Sequence, residues 1–336
     1  MLGRTGVRVS PLCLGTMMFG AWGNPDHEDS IRVIHRAIDA GINFIDTADV
    51  YAAGESETIV GKALAGRRDD VVLATKFHGR MGEGANRRGN SRRWIMQEVE
   101  ASLRRLGTDW IDLYQVHRPE PETDIDETLG ALTDLVRAGK IRYLGSSTFP
   151  AEEIVEAHWV AERCGRERFA CEQPPYSLLV RGIERDVLPV CRRYGMGVIP
   201  WSPLAGGWLS GRYRKGEQLP RSSRAERIPQ RFDLSLAENQ RKLDAADALG
   251  ALADEVGMTL IHIALAFVVQ HPAVTSAIVG PRTMEQLESQ LGAVDVTLDA
   301  VLLDRIDGIV PPGTNLNPFD AGYTPPSLED AFLRRR

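Results

Sequence analysis

Short apolar runs alternate along the chain with stretches whose apolar residues recur every three or four positions. The runs predict strands and the stretches predict helices. Strands are expected at 9–15, 42–46, 71–75, 111–117, 141–145, 169–173, 197–201 and 274–279. Between the first two, Ile31, Ile34 and Ile38 mark a helix face, with Asp29 or Ser30 as N-cap and Gly41 as stop. A second helix covers 56–64. Ile95, Val99, Leu103 and Leu106 line the third, which ends at Gly107; Leu129, Leu132 and Val136 line the fourth, which ends at Gly139. Further helices are expected at 151–164, 183–194, 243–256, 260–270, 284–291 and 300–309. Alternating elements with nearly continuous apolar strands predict the α/β class, a parallel sheet covered by helices. Eight such units favour a single closed (β/α)8 TIM barrel over a doubly wound sheet.

The length of 336 residues suits one barrel with insertions. No linker or composition break divides it, so the barrel is expected over 1–310 and an extended, Pro-rich C-terminal tail over 311–336. Two connections are long. Residues 77–94 are rich in Gly, Arg and Asn, and 206–238 carries Arg212, Arg214, Lys215, Arg221, Arg224, Arg227 and Arg231. Loops of that length are usually functional or disordered, and both follow strands, at the mouth where barrel active sites form. The formal charge of −6 argues against a general nucleic-acid binder. No run of about 18 uncharged apolar residues predicts a membrane span, and the start lacks a secretory h-region. Cys13, Cys164, Cys171 and Cys191 form no CxxC pair, so reduced thiols in a cytoplasmic protein are expected.

Four residues just past strands carry chemistry: Asp46 and Tyr51 in GINFIDTADVY, Lys76 in VVLATK and His117 in IDLYQVH. Alone, each has an ordinary explanation in capping, packing or a solvated charge. Together, at neighbouring strand ends, they converge on one mouth. Tyr51 would deliver a proton, Lys76 would favour the phenolate, Asp46 would hold Lys76 charged and aimed, and His117 would hydrogen-bond a carbonyl oxygen. Other chemistries lack their motifs. There is no HExxH, and the seven histidines are dispersed, so no metal is expected. GEGANR at 82–87 lacks the last glycine of GxGxxG, and there is no GxSxG elbow.

GINFIDTADVY, DLYQVHR, IRYLGSS, EQPPYSLL, IPWSPLAGGWLSG and AIVGPRTMEQLE occur in order, and through them nearly the whole chain resembles the aldo-keto reductases. It is most like the longer bacterial members related to potassium-channel β-subunits. The resemblance implies the tetrad above and NADPH extended over the mouth. It implies Ser147 and Gln173 at the nicotinamide carboxamide, Trp201 stacked on the ring, and Ser202, Leu204 and Gly206 along the pyrophosphate path. Gly280, Arg282, Gln286 and Gln290 would meet the adenosine end. Thr148 stands where members commonly have Asn, as does Gln290, so those contacts differ from the family pattern. Arg282 favours NADPH, because a guanidinium pairs a 2′-phosphate bidentately. Trp22, His78, Arg118, Phe149, Tyr176 and Trp208 are expected as substrate walls, with Tyr51. The implied activity is reduction of an aldehyde or ketone to an alcohol. A sugar-nucleotide keto or enoyl reductase and a nicotinamide-sensing regulatory subunit remain as alternatives. The expected partners are a small-molecule carbonyl, without nucleic acid or membrane; a homo-oligomer is compatible with the sequence.

Overall fold

The structure, a computed structural model, describes residues 1–218, 220 and 223–333. Arg221 and the three terminal arginines lie outside the described residues. The strands are β1 (Leu12–Gly15), β2 (Phe44–Asp46), β3 (Val72–Phe77), β4 (Ile111–Val116), β5 (Ile141–Ser147), β6 (Phe169–Gln173), β7 (Gly197–Val198) and β8 (Ala277–Val279). Each is parallel to its neighbour, and β1 pairs with both β2 and β8. The β7–β8 seam is closed by backbone bonds from Thr275 N–H to Val198 O (2.7 Å) and from Ile278 N–H to Pro200 O (2.9 Å). The eight strands therefore form the expected (β/α)8 barrel.

Helices α1 (His27–Asp39), α2 (Glu55–Ala63), α3 (Arg92–Leu106), α4 (Ile125–Arg137), α5 (Ala151–Cys164) and α6 (Val187–Tyr194) follow the first six strands. The seventh connection holds α7 (Ser223–Arg227), α8 (Ala237–Glu255) and α9 (Leu260–Val269); α10 (Met284–Leu291), α11 (Ala300–Ile309) and α12 (Pro326–Glu329) follow β8. No single described helix is long and apolar enough to cross a membrane.

Several boundaries differ from the sequence pattern. The first helix is capped by Asp26, whose carboxylate accepts from Asp29 N–H, so Asp29 and Ser30 lie inside it. Residues 9–11 leave the sheet because Ser10 exchanges hydrogen bonds with Asn43, through Asn43 Oδ1 and Ser10 Oγ. The helix expected at 183–194 breaks: a 3-10 turn at Gly182–Glu184 precedes α6, which Asp186 caps. Pro189 in its first turn explains the break, since its ring would clash with a helical carbonyl four residues back. The seventh strand is shorter than 197–201 because Pro200 has no N–H to give a ladder. Thr275 and Ser276 likewise bond Val198 O of β7 without forming strand, while Val274 N–H turns back to His271 O. The described residues of the connection 206–238 pack as a flap rather than a bare loop. Trp208 is buried against Tyr213 (4.3 Å between rings) and Phe232 (5.8 Å), with the Lys242 ammonium 4.9 Å from its ring. The tail is not simply extended either. Leu316 N–H bonds Leu179 O, Asn317 is buried, and a 3-10 turn at Pro318–Ala321 brings Gly322 against Trp201 and Thr148.

Inside the barrel, Cys13, Phe44, Ala74, Leu113, Cys171, Ile199 and Ile278 form an apolar layer, closed by the buried Leu2. The next inward positions towards the strand ends are Asp46, Lys76, Gln115 and Gln173, all buried and polar. Gly145 completes this arrangement by absence: a Cβ there would lie 2.8 Å from Gln115 Cγ and 3.1 Å from Leu113 Cδ1. Gly145→Ala is expected to destabilise the protein by about 1–3 kcal/mol through overpacking. Urea unfolding measures this; an unchanged midpoint would show that the layer relaxes freely.

Candidate active site

The four proposed chemical residues meet at the C-terminal mouth. Parallel register sets Asp46 beside Ala74 and Lys76 beside Gln115, so inward residues of adjacent strands face one another. Lys76 Nζ donates to Asp46 Oδ1 (2.5 Å) and Thr47 O (2.8 Å), and lies 3.3 Å from Tyr51 Oη. These partners match the three hydrogens of an ammonium. Burial disfavours the charge on Lys76, but Asp46 and Tyr51 outweigh it and hold the ammonium above the usual lysine value. Asp46 Oδ2 accepts from Gln115 Nε2 (3.0 Å) and Gln173 Nε2 (2.9 Å). His117 places its ring edge-on to Tyr51, 5.9 Å between centroids. Burial, then Arg118, Lys76 and His78, push its pKa well below the ordinary histidine value. Its imidazole is therefore neutral and offers one N–H donor.

Backbone strain is concentrated here. The non-glycine residues with left-handed φ among the described residues are Ala52, Ala53, His78, Thr148, Ser202 and Ala205. All lie just past β2, β3, β5 or β7. Such residues cost roughly 1–3 kcal/mol each and persist where surrounding contacts dictate them. Ala52 and Ala53 turn the chain directly after Tyr51. Beneath that turn Asp49 is buried, its N–H on Lys76 O (3.2 Å). Burial, Glu57 and Glu98 push its carboxyl well above the usual range. Arg105 ion-pairs both Glu57 (2.6 Å) and Glu98 (2.5 Å).

The expected carboxamide residues also assemble. Gln173 Nε2 donates to Asp46 and to Gln115 Oε1 (3.1 Å), which leaves its own Oε1 as an acceptor. Ser147 Oγ donates to Gln173 O (2.9 Å) and keeps its lone pairs. Thr148 Oγ1 accepts from Arg118 (3.2 Å) and from Trp201 Nε1 (3.4 Å), so its own hydrogen is left to donate, with Ser147 Oγ 3.4 Å away as its present acceptor. Trp201 is half-buried beside these groups. Ser202, Leu204 and Gly206 form a tight turn, with Ala205 N–H on Ser202 O and Gly207 N–H on Leu204 O. Arg224 packs against Gly206. Past β8, Gly280 and Arg282 are exposed; Arg282 N–H bonds Gln286 Oε1 (2.8 Å), and Asn24 Nδ2 bonds Arg282 O (3.2 Å). Gln290 is buried with an unpartnered Oε1.

Of the expected substrate walls, Trp22, His78 and Arg118 lie at the mouth. The Trp22 ring is 6.1 Å from that of Tyr51, and His78 Nδ1 is 3.0 Å from Asn90 Oδ1. Phe149, Tyr176 and Trp208 do not line an open wall. Phe149 packs on Phe169 (5.7 Å) in the helix–sheet core. Tyr176 is buried against Phe267 and His271 and donates to Glu184 (2.7 Å). Trp208 forms the core of the flap. An aromatic near a strand end does not reveal by sequence which side of the strand-end loop it faces.

Sequence reasoning missed Gln115, although alternation from His117 within β4 points it inward. It also missed Glu172, which turns away from the barrel axis. Its carboxylate accepts from Ser146 Oγ (2.5 Å) and Phe149 N–H (3.2 Å), gripping the strained Thr148 turn. The approach of Asp320 and Gly322 gave no local signal.

The sequence model of the Aldo/keto reductase family matches residues 11–311. The chain is 40% identical over 321 residues to "Uncharacterized oxidoreductase YrpG" of Bacillus subtilis, covering 92% of this chain and 95% of that protein. It is 37% identical to a probable voltage-gated potassium channel subunit beta of Arabidopsis thaliana, covering 92% and 95%. It is 34% identical to norsolorinic acid reductase of Aspergillus flavus, covering 95% and 80%.

Glu172 makes the site's support pH-dependent. Burial pushes its carboxyl up to about 7, against the opposing pull of Ser146, the Phe149 and Thr148 N–H groups and Arg118. Between the ordinary glutamate value and 7 the folded protein keeps a proton that the unfolded chain releases. This contribution to stability is fully present below the unfolded value and is lost as pH rises through 7. A shift of this size corresponds to about 3 kcal/mol. Glu172→Gln should flatten the fall in stability between about pH 5 and about pH 8, read from urea midpoints. Parallel wild-type and variant profiles would contradict the assignment.

Proposed function

We propose that this chain, which belongs to the aldo/keto reductase family, is an NADPH-dependent carbonyl reductase that turns an aldehyde or ketone into an alcohol. NADPH, when bound, supplies the hydride. The observation that carries this reading is the Tyr51–Lys76–Asp46 chain facing a neutral His117 at the barrel mouth. The carbonyl oxygen is held by hydrogen bonds from Tyr51 Oη–H and the His117 ring N–H. As negative charge grows on that oxygen, both donors strengthen their hold. The Tyr51 proton then passes to it, and the phenolate left behind is stabilised by Lys76, which Asp46 and Thr47 keep aimed.

The donor set fits a nicotinamide. Gln173 Oε1 and Ser147 Oγ offer acceptors for a carboxamide NH₂, and the Thr148 hydroxyl offers a donor for its carbonyl; Trp201 offers an aromatic face. Thr148 thus takes the part of the family's usual amide through its hydrogen rather than its oxygen. Arg224, against Gly206, suits the pyrophosphate. Arg282 suits the 2′-phosphate, with its backbone anchored by Gln286 and Asn24. The free Gln290 Oε1 suits an adenine amino group.

Tyr51→Phe is expected to lower kcat by roughly 10²–10⁴-fold, the usual contribution of general acid catalysis. NADPH binding, followed by tryptophan fluorescence, should persist. Unchanged turnover on an aldehyde would remove Tyr51 from its role. Arg282→Ala should weaken NADPH by about tenfold or more while barely affecting NADH. Equal losses for the two cofactors would move the 2′-phosphate site elsewhere.

A further inference from the structure

We infer that the mouth selects carbonyl substrates that carry an anionic group, a carboxylate or a phosphate, bound by Arg118 and Arg227. This rests on the carbonyl-reductase reading and narrows it to a substrate class.

Four arginines surround Tyr51 and Trp201 on a chain whose formal charge is −6. Arg118 follows His117 and bonds His117 O (2.6 Å) and Thr148 Oγ1 (3.2 Å). Arg227 lies 5.1 Å from the centroid of Trp22, itself 6.1 Å from the Tyr51 ring. Arg231 stands 5.7 Å from the Trp201 centroid. Arg224 lies between Gly206 and this group. Asp320 is the one carboxylate in ion-pair reach among the described residues. It is 3.4 Å from Arg231 and is shared with Lys242 at 2.7 Å. Arg118, Arg224 and Arg227 make no direct ion pair with a carboxylate among the described residues, and Glu172 acts on Arg118 only from beyond ion-pair distance.

Like charges so close repel: Arg231 acts on Arg118, and Arg227 and Arg231 act on Arg224. By contrast, the shielded guanidinium groups of Arg68 and Arg105 are neutralised by carboxylates, at Arg68–Asp112 (2.7 Å) and Arg105–Glu57 (2.6 Å). At the mouth a bound anion would supply the direct counter-charge that Arg118 and Arg227 lack. Cofactor phosphates account for Arg224 and Arg282, and Arg231 has Asp320. Arg118 and Arg227 remain, Arg118 beside Tyr51 and Arg227 over the Trp22 ring that neighbours it. A cleft of one sign also concentrates oppositely charged substrates.

The test compares kcat/KM for 4-carboxybenzaldehyde, 4-formylphenyl phosphate and 4-methylbenzaldehyde, with saturating NADPH. Either anionic aldehyde should exceed the methyl compound by about tenfold, the scale of a hydrogen bond to a charged group. The anion that shows the preference identifies carboxylate or phosphate. Arg227→Met, at an exposed position, and Arg118→Met should each shrink that ratio, and Arg118→Lys should partly restore it. Added salt should shrink it as well. Equal kcat/KM for charged and neutral aldehydes, or a ratio indifferent to both substitutions, overturns the inference but leaves carbonyl reduction standing. If no aldehyde is reduced, the reductase reading fails. Quenching of tryptophan fluorescence by terephthalate then decides the anion site alone: saturation lost in Arg227→Met supports it, and no quenching in the wild type overturns it.

Discussion

The buried pair of Lys76 and Asp46 sets the terms for the rest of the barrel. Removing two charges from water costs more than their mutual attraction returns unless every remaining proton and lone pair is satisfied. The chain meets that demand from five successive strands and their ends. Thr47 and Tyr51 take the other ammonium hydrogens, while Gln115 and Gln173 cover the second carboxylate oxygen. Gly145 on β5 makes the necessary room. The same bonds that stabilise the pair fix the tyrosine, so structural and chemical requirements coincide at one layer.

That coincidence explains what was legible from sequence. The tetrad could be read because its members sit at strand ends, where position along the chain translates directly into position in space. The eight-fold alternation could be read for the same reason. Residues that depend on a distant partner could not. Phe149, Tyr176 and Trp208 resemble wall residues until the helices and flap that cover them are placed. Glu172 neighbours the inward Gln173 but faces Ser146 and the Thr148 turn instead. The capture of Arg231 by Phe319 O (2.8 Å) spans 88 residues and has no local signature.

The site lies between two unlike electrostatic environments. Below the Tyr51 turn, Asp49, Glu57 and Glu98 crowd around Arg105, and burial with mutual repulsion pushes the Asp49 carboxyl well above the usual carboxylate range. Above it, guanidinium groups outnumber carboxylates. The strained Ala52–Ala53 turn spans this boundary, so the Tyr51 phenol projects from an acidic floor towards a basic rim. The tetrad sits at the strand ends, while Arg224, Arg227 and Arg231 sit on the flap and Asp320 on the tail.

The pairing of Leu12 with Ala277 and of Leu14 with Val279 has a consequence for how the protein is made. The first strand waits for the last, and on a ribosome nearly the whole chain must emerge before the barrel can close. Until then β1 and β7 are open edges of a growing parallel sheet, the kind of surface that invites wrong partners. Contacts this distant in sequence also slow folding. The seam that gives the mature molecule an unbroken wall is therefore its most exposed feature during synthesis.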